Sequence, residues 1–148
     1  MIITSSFNII YDIWANHLWP ERTSKIEPHS AMLLNGTYDI GNFKYKPSFF
    51  LYLHNDKIAG CNSGHMCVDN GYRSRGLYVY PEYRNMGIGQ KLLSRTIDQA
   101  KTEKADYIWS YPKQSSWKTY NSVGFKLASS WHLTETSDNN AYCYKSLQ

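Results

Sequence analysis

Residues 78–101 read YVYPEYRNMGIGQKLLSRTIDQAK and carry the most information about the fold of this 148-residue chain. The stretch predicts the end of a strand, a turn and a glycine-rich loop that leads directly into a helix. The apolar residues of this helix fall on one stripe, as in a helix that packs on a sheet: Ile88, Leu92, Leu93, Ile97 and Ala100. Such a helix start presents free backbone N–H groups at the positive end of the helix dipole, where a phosphate binds. The stretch therefore predicts a phosphate-binding loop.

Three antiparallel strands are predicted before the loop. Phe49 to Leu53 is an apolar run typical of a buried strand, and Asn55-Asp56 turns the chain toward a second strand from Ile58 to Val68. Asp69-Asn70-Gly71 then predicts a hairpin, because Asn-Gly supplies the two positive φ angles of a type I′ turn. Tyr72 to Tyr80 is consequently the third strand of this group.

The first third of the chain has weaker patterns. A helix is predicted to begin at Ser5 or Ser6, with apolar residues at helical spacing as far as Leu18, and Pro20 ends it. Residues 20–47 are polar and rich in turn-forming residues, which indicates a weak helix or a loop. This region therefore adds helix content to the prediction and little else.

The chain after the glycine-rich loop completes the fold prediction. Ala105 to Ser110 is a strand that follows the helix, and a strand–helix–strand connection makes it parallel to the strand before the helix. A short helix from Ser115 to Ser122 precedes a final antiparallel pair, Phe125 to Leu133 with Asn140 to Tyr144. The order predicts one α+β domain over residues 1–148, with a mixed, mostly antiparallel central sheet, flanking helices and one parallel crossover after the loop.

Composition and charge favour a small anionic ligand over other partners. The net charge of the chain, +4, is mild, and its lysines and arginines are dispersed along the sequence. A nucleic-acid binder would concentrate these residues in a stripe. Three cysteines without Cys-x-x-Cys spacing argue against a zinc site or a disulfide framework and favour a reducing compartment. The N-terminus has no basic targeting region, and no apolar run approaches a membrane span. We therefore expect a cytoplasmic protein without metal, nucleic-acid or membrane partners.

The spacing of the glycines excludes two common phosphate loops. A nucleotide-hydrolysing P-loop requires Gly-x4-Gly-Lys followed by Ser or Thr, and the chain contains no such string. A dinucleotide fingerprint requires three glycines after a strand of a repeated βαβ pattern, whereas this chain has Gly87-x-Gly89 after antiparallel hairpins. A third type of loop has to be considered.

Arg84-x-x-Gly87-x-Gly89, which follows the strand end Leu77-Tyr78-Val79, closely resembles the acyl-CoA-binding motif of the GCN5-related N-acetyltransferase (GNAT) superfamily. Downstream, residues 120–125, YNSVGF, resemble the Tyr-x-x-x-Gly-Phe element of the same family. The resemblance covers about Gly71 to Phe125, and the predicted element order also matches. It implies a GNAT-like fold and acetyl-CoA as co-substrate.

The resemblance also implies a set of cofactor-binding residues. The loop amides would donate to the CoA pyrophosphate, and the glycines would let the backbone approach it closely. These residues are Arg84, Asn85, Met86, Gly87, Ile88, Gly89 and Gln90. The Arg84 side chain either forms a salt link to a phosphate or is a solvated surface arginine. In the family the strand before the loop pairs with the pantetheine arm, which implies main-chain contacts from Leu77, Tyr78 and Val79.

Tyr120 is the catalytic candidate, because this position of the family can protonate the departing CoA thiolate. The alternative is a tyrosine that only packs on the sheet. The strand Tyr72 to Val79 lacks the carboxylate that many members use as a base, which leaves a base acting through water, or solvent alone. The candidate relays are Glu27, His29, His65 and Asp69.

Two other features bear on the acceptor and the cofactor. Lys113 replaces an asparagine that often contacts the cofactor in the family, and it is a weak candidate for a CoA phosphate contact. Trp109, Tyr111 and Trp117 either line an acceptor pocket or pack in the core. Both interpretations of the aromatic residues remain open at this point.

Arg73 and Arg75 alternate with Leu77 and Val79, so period two places all four on one strand face. Two arginines there would be costly to bury without anions. One hypothesis is that they bind a carboxylate or phosphate of an acidic acceptor. The favoured alternative is that they pair with internal acids, for which the candidates are Asp12, Glu21 and Glu27.

The sequence favours an N-acetyltransferase that uses direct transfer in a ternary complex, because the cysteines lie outside the motif. The alternative function is a non-catalytic acyl-CoA-binding or regulatory module. The acceptor is left open among an amino acid, a polyamine, an antibiotic and a protein amine. The oligomeric state is also open, with a homodimer among the alternatives.

Overall fold

Nine strands and three α-helices are present in the parts of the chain that the computed structural model describes, residues 1–134 and 138–148. The strands are β1 Ile2–Thr4, β2 Ser48–His54, β3 Lys57–Met66, β4 Gly71–Val79, β5 Tyr107–Ser110, β6 Lys126–Leu127, β7 His132–Leu133, β8 Asn139–Asn140 and β9 Cys143–Ser146. The helices are α1 Phe7–Ile13, α2 Ile88–Thr102 and α3 Trp117–Ser122. Among these residues no helix is long and apolar enough to cross a membrane.

Seven of the strands form the central sheet in the order β1-β2-β3-β4-β5-β9-β6. Only β4 and β5 run parallel, and every other pair in this sheet is antiparallel. The strands β7 and β8 form a separate hairpin. The predicted α+β class, with a mostly antiparallel sheet, flanking helices and one parallel crossover after the glycine-rich loop, is confirmed.

The two hairpins before the loop differ in their turns. Asn55 and Asp56 both have positive φ, 50° and 63°, so the tight turn with two left-handed residues connects β2 to β3. In the β3–β4 hairpin only Asn70 has a positive φ, of 67°, and Gly71 already belongs to β4. The predicted hairpin is correct, but its type I′ geometry is wrong. The physical reason is that the Asp69 carboxylate accepts the Gly71 N–H at 3.0 Å, which stabilises a longer turn.

A β-bulge interrupts β4. Cys61 pairs with Tyr78 and Ser63 pairs with Arg75, so two residues of β4 lie opposite the single residue between them on β3. Gly76 lies in the bulge with a φ of +81°, and a Cβ there would overlap the indole of Trp14. The indole Nε1 of Trp14 donates to the Gly76 carbonyl at 2.9 Å. Position 76 therefore requires glycine both for its backbone conformation and for lack of space.

The bulge moves the side chains that follow it to the other side of the sheet, because one extra residue reverses the alternation. Arg73 and Arg75 lie on the side covered by α1 and residues 20–47, which we call the α1 face. Leu77 and Val79 lie on the side covered by α2, the α2 face, where they pack against Leu92. The predicted common face for these four residues is therefore wrong.

The apolar stripe of α2 forms the larger part of the core. Its five predicted residues are all buried, and they pack on the α2 face with residues such as Phe50, Tyr72 and Ile108. On the other side, Ile10, Ile13 and Trp14 bury α1 against the sheet. Both helices are therefore held mainly by apolar contacts with the sheet.

Several boundaries depart from the predictions. The first helix ends in a π-helical turn at Trp14–Leu18. The edge strand β1 precedes this helix and was not predicted, because its three residues are too few to show an alternating pattern. Residues 20–47 form a loop apart from the 3₁₀ turn Ile40–Lys44, which agrees with the loop alternative. The predicted strand Phe125 to Leu133 is broken into β6 and β7, because β9 pairs only with β6 and β5.

Candidate active site

The parallel pair at the centre of the sheet separates after three residue pairs. Gly71, Tyr72 and Arg73 pair with Tyr107, Ile108 and Trp109, and no further register is shared by β4 and β5. At the point of separation, the Ser110 hydroxyl donates to the Ser74 carbonyl at 2.7 Å. The rest of β4 pairs only with β3. One edge of Leu77–Val79 is therefore left for an extended partner.

The loop that follows β4 has unpaired amides. A 3₁₀ turn at Pro81–Tyr83 leads to Asn85 and Gly87, whose φ values are 63° and 77°. Within the described chain, the backbone N–H groups of residues 85–90 donate to no other group. They lie at the N-terminal, positive end of the 15-residue helix α2. This arrangement fits a pyrophosphate, because its donors have no internal acceptor.

The two glycines of the loop have different structural reasons. Gly87 needs its left-handed backbone, and a Cβ there would enter nearly open space. Gly89 has little room, since a Cβ would lie 3.1 Å from Cγ2 of Thr119. Gly89 therefore lets the start of α2 approach α3, which is a packing role that the sequence motif did not indicate.

Arg84 is tied to the end of β4. Its Nε donates to the Val79 carbonyl at 2.9 Å, and its guanidinium lies 5.6 Å from the ring centroid of Tyr78. Its terminal nitrogens donate to no group among the residues that the structure describes. They are left for a ligand or for water, so both predicted roles of the side chain remain predictions.

A cleft of about 740 Å³ joins the strand edge to the loop. All the predicted cofactor residues line it except Met86. The cleft is also lined by His17 and Leu18, from the π-helical turn, and by six residues around the start of α3: Lys113, Ser115, Ser116, Lys118, Thr119 and Ser122. The α3 residues could have been found from the Tyr-x-x-x-Gly-Phe motif beside them, whereas no pattern in the sequence indicated His17 or Leu18.

Tyr120 does not line the cleft, and its phenol lies next to the side chain of Ser110, where β4 and β5 separate. It is 4% exposed, and its ring packs edge-on against Phe125 with centroids 5.4 Å apart. Burial raises the pKa of the Tyr120 phenol, while the neighbouring Ser110 hydroxyl and the charge of Arg73 lower it by less. The phenol therefore keeps its proton at neutral pH, as a proton donor must. Its catalytic role stays a prediction.

Arg73 and Arg75 are 7% and 5% exposed and form no ion pair with any described carboxylate. The favoured pairing with Asp12, Glu21 or Glu27 is therefore wrong. Arg75 contacts Glu27 only through its backbone, with Nη1 donating to the carbonyl at 2.7 Å. The Glu27 carboxylate lies 3.7 Å from the ammonium of Lys25 instead.

Indole rings replace carboxylates around these arginines. The guanidinium carbon of Arg73 lies 4.5 Å from the ring centroid of Trp109, and that of Arg75 lies 5.0 Å from Trp14 and 5.2 Å from Trp19. Cation–π contacts of this kind stabilise a buried guanidinium without neutralising it. Burial lowers the pKa of both side chains, that of Arg75 to about 9. A guanidinium group keeps its proton in proteins, so both side chains carry a positive charge.

The candidate relays do not form a proton path. His65 is fully buried, its Nε2 accepts the Ser30 N–H at 3.1 Å, and Nδ1 donates to the Met66 carbonyl at 3.0 Å. Burial lowers the pKa of His65 to about 3, so it is neutral and has no free ring nitrogen. Asp69 is held in the β3–β4 turn by Gly71 and the Tyr107 hydroxyl. His29 bonds the Tyr45 carbonyl through Nε2, and no described hydrogen bond links His29, His65 and Asp69 into a chain.

The remaining predicted residues divide between cleft and core. Lys113 lines the cleft and pairs with Asp138 at 3.3 Å. Trp109 is fully buried, and Trp117 packs on the core and on Trp131. Tyr111 stacks with Tyr142 on the surface near Trp109, with ring centroids 4.5 Å apart. Among residues 1–134 and 138–148, no group of three His, Cys, Asp or Glu side chains is placed to hold a metal.

Comparison with known families agrees with this geometry. The model of the Acetyltransferase (GNAT) family matches residues 11–125, a range that includes the loop, the bulged strand and Tyr120. The chain belongs to the GNAT acetyltransferase family. The resemblance inferred from the two motifs is thereby confirmed, and membership supports an acyltransferase. No curated protein matched the sequence.

Solved GNAT structures share the fold over the whole chain. An acetyltransferase of the GNAT family from Staphylococcus aureus Mu50 is 21% identical, with a TM-score of 0.68 over 100% of this chain and 99% of that one. The ribosomal-protein-S18-alanine N-acetyltransferase from Escherichia coli is 15% identical, with a TM-score of 0.65 over 100% and 94%. A Bacillus subtilis acetyltransferase in complex with CoA is 14% identical, with a TM-score of 0.66 over 99% and 98%. At these identities the likeness establishes the GNAT fold.

Proposed function

We propose that this GNAT protein is an N-acetyltransferase that transfers the acetyl group of acetyl-CoA directly to an amine within a ternary complex. One observation carries the proposal. The unpaired amides of residues 85–90 and the unpaired edge of Leu77–Val79 lie in one cleft, which leads toward the separation of β4 and β5 beside Tyr120.

The donor set of the cleft suits CoA. The loop amides at the start of α2 would hold the pyrophosphate, and the edge of β4 would pair with the amide groups of the pantetheine arm. The Bacillus subtilis neighbour was solved in complex with CoA, and a Salmonella typhimurium neighbour of 16% identity and TM-score 0.70 was solved with acetyl-CoA. Both observations support CoA as the ligand of this cleft.

The reaction forms a C–N bond to the amine and breaks the C–S bond of the thioester supplied by acetyl-CoA. The amine nitrogen loses a proton and the sulfur gains one. The Tyr120 phenol is fitted to deliver the second proton, because burial keeps it neutral at physiological pH. Since β4 carries no carboxylate, water would take the proton from the amine.

Direct transfer is supported by the state of the cysteines. Cys61, Cys67 and Cys143 are fully buried free thiols. Burial raises the pKa of Cys61 and Cys143 to about 12 and that of Cys67 to about 11. Because the thiolate is the reactive form, none of the three is suited to carry the acetyl group. Reduced thiols also support our placement of the protein in the cytoplasm.

The second candidate function is a non-catalytic acyl-CoA-binding module. The lack of an acid on β4, together with the engaged nitrogens of His65, favours it. Calorimetric titration with CoA combined with a thiol-release assay separates the two functions. The enzyme predicts CoA binding and amine-dependent thiol release, whereas binding without release from any amine supports the module. Absence of CoA binding contradicts both.

A further inference from the structure

Arg73 and Arg75 present two buried positive charges without a matching negative charge. No described carboxylate oxygen lies within ion-pair distance of either guanidinium. An uncompensated buried charge is strongly destabilising, so such groups are ordinarily paired. The charges that act on Arg75 are those of Arg73, Arg22 and Glu27, and two of the three are positive. The missing anion has to come from outside the described chain.

Both guanidinium groups have unused donors. Arg73 uses Nε on the Ser74 carbonyl at 3.0 Å and Nη1 on the Met32 sulfur at 3.8 Å. Arg75 uses only Nη1, on the Glu27 carbonyl. Within the described residues, Nη2 of both side chains and Nε of Arg75 donate to nothing. The indole stacking fixes the planes of the groups, and a fixed guanidinium fork is suited to a carboxylate or phosphate.

The two arginines lie beside the point where β4 and β5 separate, where we propose that the reaction takes place. Arg73 is the last residue of β4 that pairs with β5, and the following carbonyl, of Ser74, is the one bonded by Ser110. Arg73 is near enough to Tyr120 for its charge to lower the pKa of that phenol. An anion held by Arg73 would therefore lie beside the point where β4 and β5 separate, near the proposed proton donor Tyr120.

We propose that Arg73 and Arg75 bind an anionic group of the acceptor, so that the acceptor is an amine that also carries a small anion, a carboxylate or a phosphate. The proposal rests on the N-acetyltransferase function and names its substrate class. The small exposed fraction of the two side chains, 7% and 5%, favours the carboxylate as the smaller anion. Phosphate-bearing amines serve as the comparison that separates the two anions.

The first experiment uses the unaltered protein. Thiol release from acetyl-CoA is measured with a panel of amino acids, the carboxamide of each, the decarboxylated amine of each, and aminomethylphosphonate. We expect kcat/KM for the best amino acid to exceed that of its amide by about ten-fold or more, because a charge-assisted contact is lost. Equal or faster transfer to the neutral amide overturns the proposal. Preference for the phosphonate identifies phosphate as the anion.

The second experiment locates the anchor. Arg73→Gln and Arg75→Gln are expected to raise KM for the best anionic acceptor by about ten-fold each, with KM for acetyl-CoA unchanged. Arg75→Lys should restore part of the loss, because it keeps the charge and loses the fork. The matched control is Arg95→Gln, which removes an arginine stacked on Phe50 at 4.6 Å, on the opposite side of the sheet. The control should leave both KM values unchanged.

A purely structural role for the arginines gives a different result. It predicts a lower melting temperature and an equal loss of kcat with anionic and neutral acceptors, and this result overturns the anchor. If no amine is acetylated, the N-acetyltransferase proposal fails. The anchor is then decided by calorimetry of the amino acid panel on CoA-loaded protein. Saturable binding that Arg75→Gln weakens supports it, and the lack of binding overturns it.

Discussion

The two faces of β4 differ in what their buried polar side chains contact. On the α2 face the Asn62 amide donates to the hydroxyls of Ser74 and Thr96 at 2.9 Å each, while Asn62 Oδ1 and the Tyr72 hydroxyl have no hydrogen-bond partner among the described residues. On the α1 face, Arg73 and Arg75 are equally buried but meet indole rings and carbonyls, without an anion. The buried polar residues of the α2 face are therefore uncharged, whereas the α1 face buries two charges for which we propose an external anion.

Gly76 lies in the bulge at which the side chains of β4 change from one face to the other. Substitution of Gly76 should have the largest effect on stability. Gly76→Ala adds a Cβ at positive φ and against Trp14, and we expect the free energy of unfolding to fall by about 3 kcal/mol or more. Urea denaturation measures this loss. Gly87→Ala is the matched control, because it has the same sign of φ and open space, and should cost about 1 kcal/mol. Equal losses would mean that the contact with Trp14 does not matter.

Tyr120 packs in the core of the α2 face and is close enough to Arg73 to be affected by its charge, and its substitution tests whether the chemistry is located there. Tyr120→Phe keeps the packing on Phe125 and removes the acidic proton. We expect kcat to fall by about 10²-fold or more, with KM for acetyl-CoA unchanged, in steady-state thiol release. Tyr72→Phe, at another buried tyrosine, should retain kcat. A similar loss in the two variants would point to packing instead of proton transfer.

The hydrogen bonds around Asn62 on the α2 face are expected to affect stability alone. Thr96→Val removes the hydroxyl that accepts from Asn62 and donates to the Leu92 carbonyl, which should cost about 1–2 kcal/mol of unfolding free energy. Thr102→Val removes an exposed hydroxyl that donates in the same way to Asp98, and should change stability by less than about 0.5 kcal/mol. Acceptor KM values should be unchanged in both variants. A changed acceptor KM for Thr96→Val would contradict the expectation that this contact affects stability and not acceptor binding.

The α1 face is also expected to make stability depend on pH. Burial lowers the pKa of His65 to about 3, so the unfolded chain binds a proton there more readily than the folded one. Its contribution is therefore fully present above the unfolded pKa of about 6.5 and is lost progressively as the pH falls toward 3. Between pH 7 and pH 5.5 the loss should be about 1 kcal/mol, measured by denaturation at each pH. His65→Gln should flatten this part of the profile, and an unchanged profile would exclude His65 as its source.

Local patterns predicted the cofactor side of the molecule well. The glycine-rich loop, the apolar stripe of α2 and the strand before the loop all appear where the sequence placed them, and nine of the ten cofactor candidates line one cleft. Each of these features depends on residues within a few positions of one another. Backbone preferences and helical periodicity act over that same distance.

The surroundings of Arg73 and Arg75 were predicted poorly, because their determinants are distant in sequence. The Trp14 indole bonds the Gly76 carbonyl across 62 positions, and Arg75 bonds the Glu27 carbonyl across 48. A glycine in a strand can signal a bulge. The prediction used only the period-two alternation of a regular strand, and it therefore placed the arginines on the same face as Leu77. The expected ion pairs failed because Glu27 turns its carboxylate to Lys25 and its carbonyl to Arg75.

The sequence by itself determined the family, the order of the elements and the phosphate-binding loop, since these follow from short-range backbone geometry and from motifs that are continuous in the chain. Only the tertiary structure decided which way the side chains of β4 point and what surrounds them. One additional residue at Gly76 reverses every side chain beyond it. That reversal leaves the arginines and the apolar end of the strand on opposite faces. The α1 face carries the two buried charges, for which we propose an anion, and the α2 face carries Leu77 and Val79 packed against α2.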